Sequence, residues 1–190
     1  MTFIYVELTM LTSPSLCVFI VLTNMLILCL CFPGKILGPG IPIFKKLEPC
    51  NPPTSDIDIS VTQRKFNRST NVFDVSIITP WPLGDAITLE LSVSIKKEGG
   101  YKPGYYYLKD TFCTIIKTVF NDVFKTFLEA IEVEDCPIPN GTYKVKDFYL
   151  DNQEMPKDVL YGEYKTDAKF YRNEVLIGCN VVYMDFEPKD

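Results

Sequence analysis

A strict two-residue alternation of apolar and polar side chains constrains the fold most strongly. Between residues 87 and 96, apolar positions alternate with Thr, Glu, Ser and Lys. Successive side chains of a strand point to opposite faces, so this segment predicts a strand with one buried face. Other apolar segments bounded by turn residues lie at 57–61, 71–79, 142–150, 163–171 and 175–186. Together they predict a mainly β protein, an antiparallel sandwich or cup.

The spacing of apolar residues changes to three and four in the middle of the chain. This pattern predicts one amphipathic helix of about five turns, with its apolar stripe packed on the sheets. The stripe suits a plain core, or one wall of a ligand site. Its members are Phe112, Ile115, Ile116, Val119, Phe120, Val123, Phe124, Phe127, Leu128 and Ile131.

The N-terminal segment is typical of a secretory signal. Residues 1–34 contain no Lys or Arg, and residues 15–32 are apolar apart from Ser15, Thr23 and Asn24. We expect cleavage within residues 31–38 and a single mature domain over residues 35–190. The alternative is a membrane anchor, which the central Asn24 and the lysines that follow the segment disfavour.

The cysteines and glycosylation sequons are consistent with secretion. Seven cysteines are present, and three of them lie in the N-terminal segment. The even number that remains predicts two disulfides, and their spacing leaves all three pairings open. The sequons at Asn67 and Asn140 predict N-linked glycans. We therefore expect a secreted protein, or one in the lumen of the endolysosomal route.

Composition argues against most catalytic chemistry. The chain has no histidine, which excludes Ser-His-Asp and Cys-His nucleophile systems and HExxH zinc sites. The acids Asp122, Glu129 and Glu132 fall on the polar face of the predicted helix. We therefore expect no enzyme, no metal and no cofactor. The net charge of −5, without a basic stripe, also makes nucleic acid an unsuitable partner.

A family resemblance lies mainly between residues 112 and 186. The order and spacing of several short motifs resemble the ganglioside activator proteins of the ML lipid-recognition family, which includes secreted arthropod members. The motifs are Phe112-Cys113, Cys136-Pro137-Ile138-Pro139-Asn140-Gly141-Thr142-Tyr143, Met155-Pro156, Gly162-Glu163-Tyr164 and Gly178-Cys179.

The resemblance implies an immunoglobulin-like β-sandwich or cup whose two sheets part to admit acyl chains. It also implies the pairings Cys50–Cys179 and Cys113–Cys136. Further disulfides that the vertebrate activators carry around the middle pair are missing here. The expected partners are a lipid, a glycolipid or another apolar small molecule, a transient membrane surface, and a glycosidase or receptor.

We expect a lipid-binding or lipid-transfer protein with an internal apolar cavity. The apolar face of the alternating strand is the predicted wall, and the Pro80-Trp81-Pro82-Leu83 turn is predicted near the mouth. In the alternative placement, Trp81 folds back and caps the core. The alternative functions are a glycosylated interaction module with a filled core and a carrier of small chemosensory molecules. The predicted ligand-binding residues are Trp81, Leu83, Ile87, Leu89, Leu91, Val93 and Ile95.

Overall fold

Ten β-strands and two α-helices make up the part of the chain that the structure describes. The computed structural model describes residues 37–188, except residues 39, 54–55, 69 and 151–158. The strands are β1 (Leu37–Gly38), β2 (Gly40–Pro49), β3 (Asp58–Lys65), β4 (Asn71–Thr79), β5 (Thr88–Lys97), β6 (Gly100–Thr111), β7 (Gly141–Phe148), β8 (Val159–Leu160), β9 (Gly162–Arg172) and β10 (Val175–Pro188). The helices are α1 (Phe112–Val119) and α2 (Asn121–Ala130).

Two antiparallel sheets carry the fold. The larger has five strands in the order β2-β10-β9-β5-β6, and the smaller has three in the order β3-β4-β7. A short β1–β8 pair lies beside them. This arrangement confirms the predicted β-sandwich or cup. The predicted signal peptide or anchor, residues 1–34, lies outside the described residues. Within the described part, neither helix is long and apolar enough to cross a membrane.

The predicted alternating strand occupies β5, next to the exposed edge strand of the large sheet. On its inner face, Leu89 pairs with Phe170 of β9 and Leu91 pairs with Ala168. The small sheet faces it with a similar pattern, in which Ile59 of β3 pairs with Ile77 of β4. Paired residues in an antiparallel ladder share a face, so both sheets present continuous apolar surfaces to the interior.

The predicted single helix is in fact two helices. Phe120 has φ −122° and ψ 24°, outside the helical region, and separates α1 from α2. The sequence offers a physical reason: Asn121 and Asp122 favour helix starts because they compete with the backbone for hydrogen bonds and suit the positive end of the helix dipole. In α1, Thr118 Oγ1 also donates to the Thr114 carbonyl, a contact that tends to bend helices.

Four strands have no counterpart among the predicted ones: the two-residue strands β1 and β8, and the edge strands β2 and β6. The Pro- and Gly-rich segment after residue 35 forms β2 along the edge of the large sheet. β6 follows Gly99 at the opposite edge, and its residues 102–107 are exposed. Because an edge strand that is exposed on both faces has no apolar period, alternation does not reveal it.

Both predicted disulfides are present. Cys50 is bonded to Cys179, with Cα atoms 5.4 Å apart, and ties the end of β2 to β10. Cys113 is bonded to Cys136, with Cα atoms 5.9 Å apart, and ties α1 to the segment before β7. These are the pairings that the family resemblance implies.

Candidate functional site

An apolar cavity of about 380 Å³ lies between the two sheets and under the helices. Its walls come from β3, β4, β5, β9 and β10, from both helices, and from Ile138 before β7. The sheets supply Ile59, Ile77, Leu89, Leu91, Thr166, Ala168, Phe170, Val182 and Met184.

The helices close the cavity with one stripe of large side chains. Phe112, Ile116, Phe120, Phe124 and Phe127 line it at intervals of three and four residues. The Phe112 and Phe124 rings meet edge to face with centroids 6.4 Å apart, which is a favourable geometry for an aromatic pair. The stripe remains continuous across the helix break, so both helices contribute to one wall.

The cavity reaches solvent near the helix break. Phe120 is the lining residue at the break, and its side chain is 38% exposed, although Phe is large and apolar. Leu89, Phe112, Ile138 and Phe170 lie at the deep end and are buried. Phe120 therefore marks the mouth of the cavity.

The cavity wall is almost without polar chemistry. No Asp, Glu, Lys or Arg among the described residues lines it, and Thr166 supplies the single hydroxyl. An unpaired charge placed in such surroundings carries a large desolvation cost. The cavity therefore suits a neutral, apolar occupant.

Two of the seven predicted ligand-binding residues line the cavity. Leu89 and Leu91 line the cavity, as expected for the inner face of β5. Ile87 and Leu83 lie in the packed core instead, at 0% and 1% exposure. Leu83 forms an isolated bridge with Ile138 that fixes this turn against the core.

The other two predicted wall residues, Val93 and Ile95, are not among the residues that line the cavity. Ile95 pairs with Tyr164 of β9, a residue that is only 3% exposed. The Tyr164 ring packs against Tyr105 and Phe186, with centroids 5.3 and 5.5 Å away. Thr166, the partner of Val93, lines the cavity, so at this level β9 and β10 form the wall and β5 does not. Burial, with an added contribution from Tyr105, also raises the pKa of the Tyr164 phenol above its ordinary value.

Trp81 lies away from the cavity. Its indole packs on the core cluster, and the Arg172 guanidinium stands over the ring. The Thr79 hydroxyl donates to the Trp81 carbonyl oxygen at 2.6 Å, which holds the turn. This position matches the alternative in which Trp81 caps the core, and it replaces the predicted position near the mouth.

Sequence reasoning missed most of the lining that comes from β9, β10 and the helices. The helix stripe was recognised, although a plain core was the favoured interpretation and a ligand wall the alternative. Ala168, Val182 and Met184 lie in segments predicted as strands, but nothing in their local pattern distinguishes a cavity wall from packed core. A cavity depends on which faces meet across the fold, and alternation does not contain that information.

The remaining predicted sites lie on the surface. Asn67 and Asn140 are both exposed, and Asn140 precedes β7. The acids Asp122, Glu129 and Glu132 are also exposed, and the described residues include no cluster of side chains that could hold a metal ion. A wide groove of about 700 Å³ beside α2 is rich in charged side chains and is unsuited to an apolar chain; it includes Lys117, Lys125, Glu129, Glu132, Glu134 and Asp135.

A family comparison covers part of this site. Residues 89–166 match a family described as "Protein of unknown function (DUF1091)". The match covers less than half of the chain and runs from Leu89 in β5 to Thr166 in β9, so it includes both helices. No curated protein matches the chain.

Proposed function

We propose that this protein is a non-enzymatic, secreted carrier that binds one apolar chain in the cavity between its sheets. The observation that carries the proposal is the cavity itself, about 380 Å³ of space walled by apolar side chains. A packed interior leaves few voids larger than a water molecule, and ligand cavities are typically about 300–1,000 Å³. A protein-interaction module with a filled core has no need of such a space.

The cavity volume favours a single chain. A cavity of about 150 Å³ accommodates benzene, or about 25 Å³ per non-hydrogen atom, so this cavity has room for about 15 such atoms. A glycolipid with two long acyl chains is several times larger. A fatty alcohol or a small apolar signal molecule fits, so carriage of small chemosensory molecules uses the same site.

The expected affinity is set by apolar burial. At about 0.8 kcal/mol per methylene, a twelve-carbon chain gains about 9 kcal/mol on leaving water. The loss of translational and rotational freedom offsets part of this gain, so we expect dissociation constants in the micromolar range.

Secretion is part of the proposal. It is supported by the signal-like N-terminal segment, by two disulfides in the domain, and by two exposed sequons. Transient contact with a membrane would supply and remove the ligand, and Phe120 at the mouth is the residue best placed to make it.

The test is binding of dodecan-1-ol, measured by calorimetry and by displacement of a fluorescent acyl probe. Ala168→Phe places a ring of the size of benzene in the cavity, which takes up about 150 Å³ of cavity space, and we expect the affinity to fall at least tenfold while the fold persists. Ala130→Phe, at the exposed end of α2, is the matched control and should bind normally. If the folded wild-type protein binds no probe at micromolar concentration, the carrier function is wrong and an interaction module is favoured.

A further inference from the structure

A buried side-chain amide lies beside the cavity. Asn180 of β10 pairs with Ala168 of β9, and Val182 follows it by two residues. Both neighbours line the cavity. Directly paired residues, and residues two apart on a strand, share a face of the sheet. The Asn180 side chain therefore lies on the cavity side of the large sheet.

One atom of this amide has no partner. Asn180 is 7% exposed, and its Nδ2 donates a long hydrogen bond, 3.5 Å, to the carbonyl oxygen of Ile59, itself a lining residue. The Oδ1 is buried and accepts no hydrogen bond from any described residue. Reversing the amide would bring Oδ1 against the Ile59 carbonyl oxygen, so rotation of the group does not resolve the deficit. Buried acceptors without partners are rare because they lose their hydration without compensation.

The unpaired acceptor restricts the ligand's chemistry. An acceptor is satisfied by a donor, and a carboxylate has none. An ammonium group has donors, but no acid among the described residues lines the cavity to balance its charge. A neutral hydroxyl or amide N–H remains. Asn180 is not itself among the lining residues, but it lies between two of them, Ala168 and Val182, and diagonally across from Thr166, the one lining hydroxyl.

We propose that the ligand is a neutral single-chain molecule with one hydrogen-bond donor, and that the Oδ1 of Asn180 accepts from it. This inference rests on the proposed carrier function and adds the polar group that the ligand must have. It distinguishes fatty alcohols and primary or secondary amides from ionised fatty acids, ethers and hydrocarbons of the same length.

The test compares two isomers, dodecan-1-ol and 1-methoxyundecane, which have the same atoms but differ in whether the oxygen carries a donor. We expect the wild-type protein to bind the alcohol about tenfold more tightly, which is the effect of one buried hydrogen bond. In Asn180→Leu, which keeps the side-chain size and removes the acceptor, the preference should fall to about parity. Asn71→Leu, the same substitution at an exposed residue of β4 that does not line the cavity, is the matched control and should keep the preference.

The outcomes separate the inference from the carrier function. If neither isomer binds the folded wild-type protein, the carrier function fails and the inference fails with it. If both isomers bind equally to the wild-type protein, or if Asn180→Leu keeps the preference, the role of Asn180 is wrong and the carrier function stands. Loss of the preference in Asn71→Leu as well would also overturn the inference, because the effect would then not be specific to Asn180.

A second measurement avoids the risk that Asn180→Leu does not fold. In the wild-type protein, the ¹³Cγ resonance of Asn180 should shift on saturation with the alcohol and move much less with the isomeric ether. Equal shifts with both isomers would overturn the role of Asn180.

Discussion

The guanidinium of Arg172 lies over the indole of Trp81, with the Cζ atom 5.0 Å from the ring centroid. The contact joins the end of β9 to the turn after β4 and covers one face of the tryptophan. Since the other side of the indole packs on the core cluster, Trp81 is held at the surface of the core and does not line the cavity.

Trp81 emission should therefore be almost insensitive to ligand. The chain has no other tryptophan, so the signal is unambiguous. We expect a non-fluorescent ligand such as dodecan-1-ol to saturate the protein by calorimetry without a matching change in Trp81 emission. Arg172→Met, which keeps an unbranched apolar stem over the ring, should change the emission directly and lower the free energy of unfolding by about 0.5–1 kcal/mol. A ligand-dependent emission change that follows the calorimetric isotherm would contradict this position.

The two sheets were predictable because burial of one face produces an alternating pattern within each strand's own sequence. In β5, the alternation of Leu89, Glu90 and Leu91 directly reflects the inner and outer faces of the sheet. The helix stripe is also visible in the sequence, but its spacing of three and four residues continues unchanged through Phe120. The spacing of apolar residues therefore gave no sign that the backbone breaks there.

The cavity could not be predicted because it depends on what each apolar face meets. Leu91 and Ile95 belong to the same alternating run. Leu91 lines the cavity, whereas Ile95 does not and pairs with Tyr164, whose ring packs against Tyr105. Which of these a residue meets is decided by strands far away in sequence, and Tyr105 belongs to an edge strand without an apolar period.

Gly178 should tolerate no side chain. A Cβ atom added there would lie 3.1 Å from the Cβ of Ile57 and 3.3 Å from the Cδ2 of Phe170, both buried side chains. We expect Gly178→Ala to lower the free energy of unfolding by about 1–3 kcal/mol, the usual cost of overpacking. The measurement is chemical denaturation with the disulfides intact.

Gly141 provides the matched control for Gly178. An added Cβ there meets the Tyr143 ring at 3.6 Å, an ordinary contact distance. Gly141→Ala should therefore change stability by less than about 0.5 kcal/mol. Equal effects of the two substitutions would mean that the space around Gly178 is larger than the structure indicates.

Tyr164 should make stability fall in alkaline solution. Its pKa is raised in the folded protein above the ordinary value of 10.0, chiefly by burial. Below the ordinary value, the Tyr164 phenol is neutral in both the folded and the unfolded protein, and its contribution to stability is fully present. Above it the unfolded state ionises first, so the free energy of unfolding decreases as pH rises.

Urea unfolding at about pH 9 and about pH 11 tests this dependence on Tyr164. Tyr164→Phe loses the hydrogen bond to the Leu160 carbonyl and should be less stable at the lower pH, with a smaller further loss at the higher pH. Tyr107→Phe, at an exposed tyrosine, should keep the wild-type pH dependence. An unchanged pH dependence in Tyr164→Phe would show that other groups are responsible.

Phe120 should control exchange of ligand with membranes. It lies at the cavity mouth and at the start of α2, where no side chain caps the helix. Phe120→Ser removes the exposed ring and places a favourable capping residue there, so the fold should not weaken. If the ring contributes about 1 kcal/mol to membrane contact, transfer of a fluorescent fatty alcohol from neutral phosphatidylcholine vesicles should slow about fivefold.

A Phe→Ser substitution at another exposed residue tests whether slower transfer comes from lost membrane contact at Phe120 or from a general loss of exposed apolar surface. Phe66 is 64% exposed, follows β3, and does not line the cavity, so Phe66→Ser should transfer the alcohol at the wild-type rate. Equilibrium affinity for a soluble short-chain alcohol should change little in both variants, because most of the cavity wall remains. If Phe120→Ser transfers ligand as fast as Phe66→Ser does, the ligand enters by a route that does not involve the break between α1 and α2.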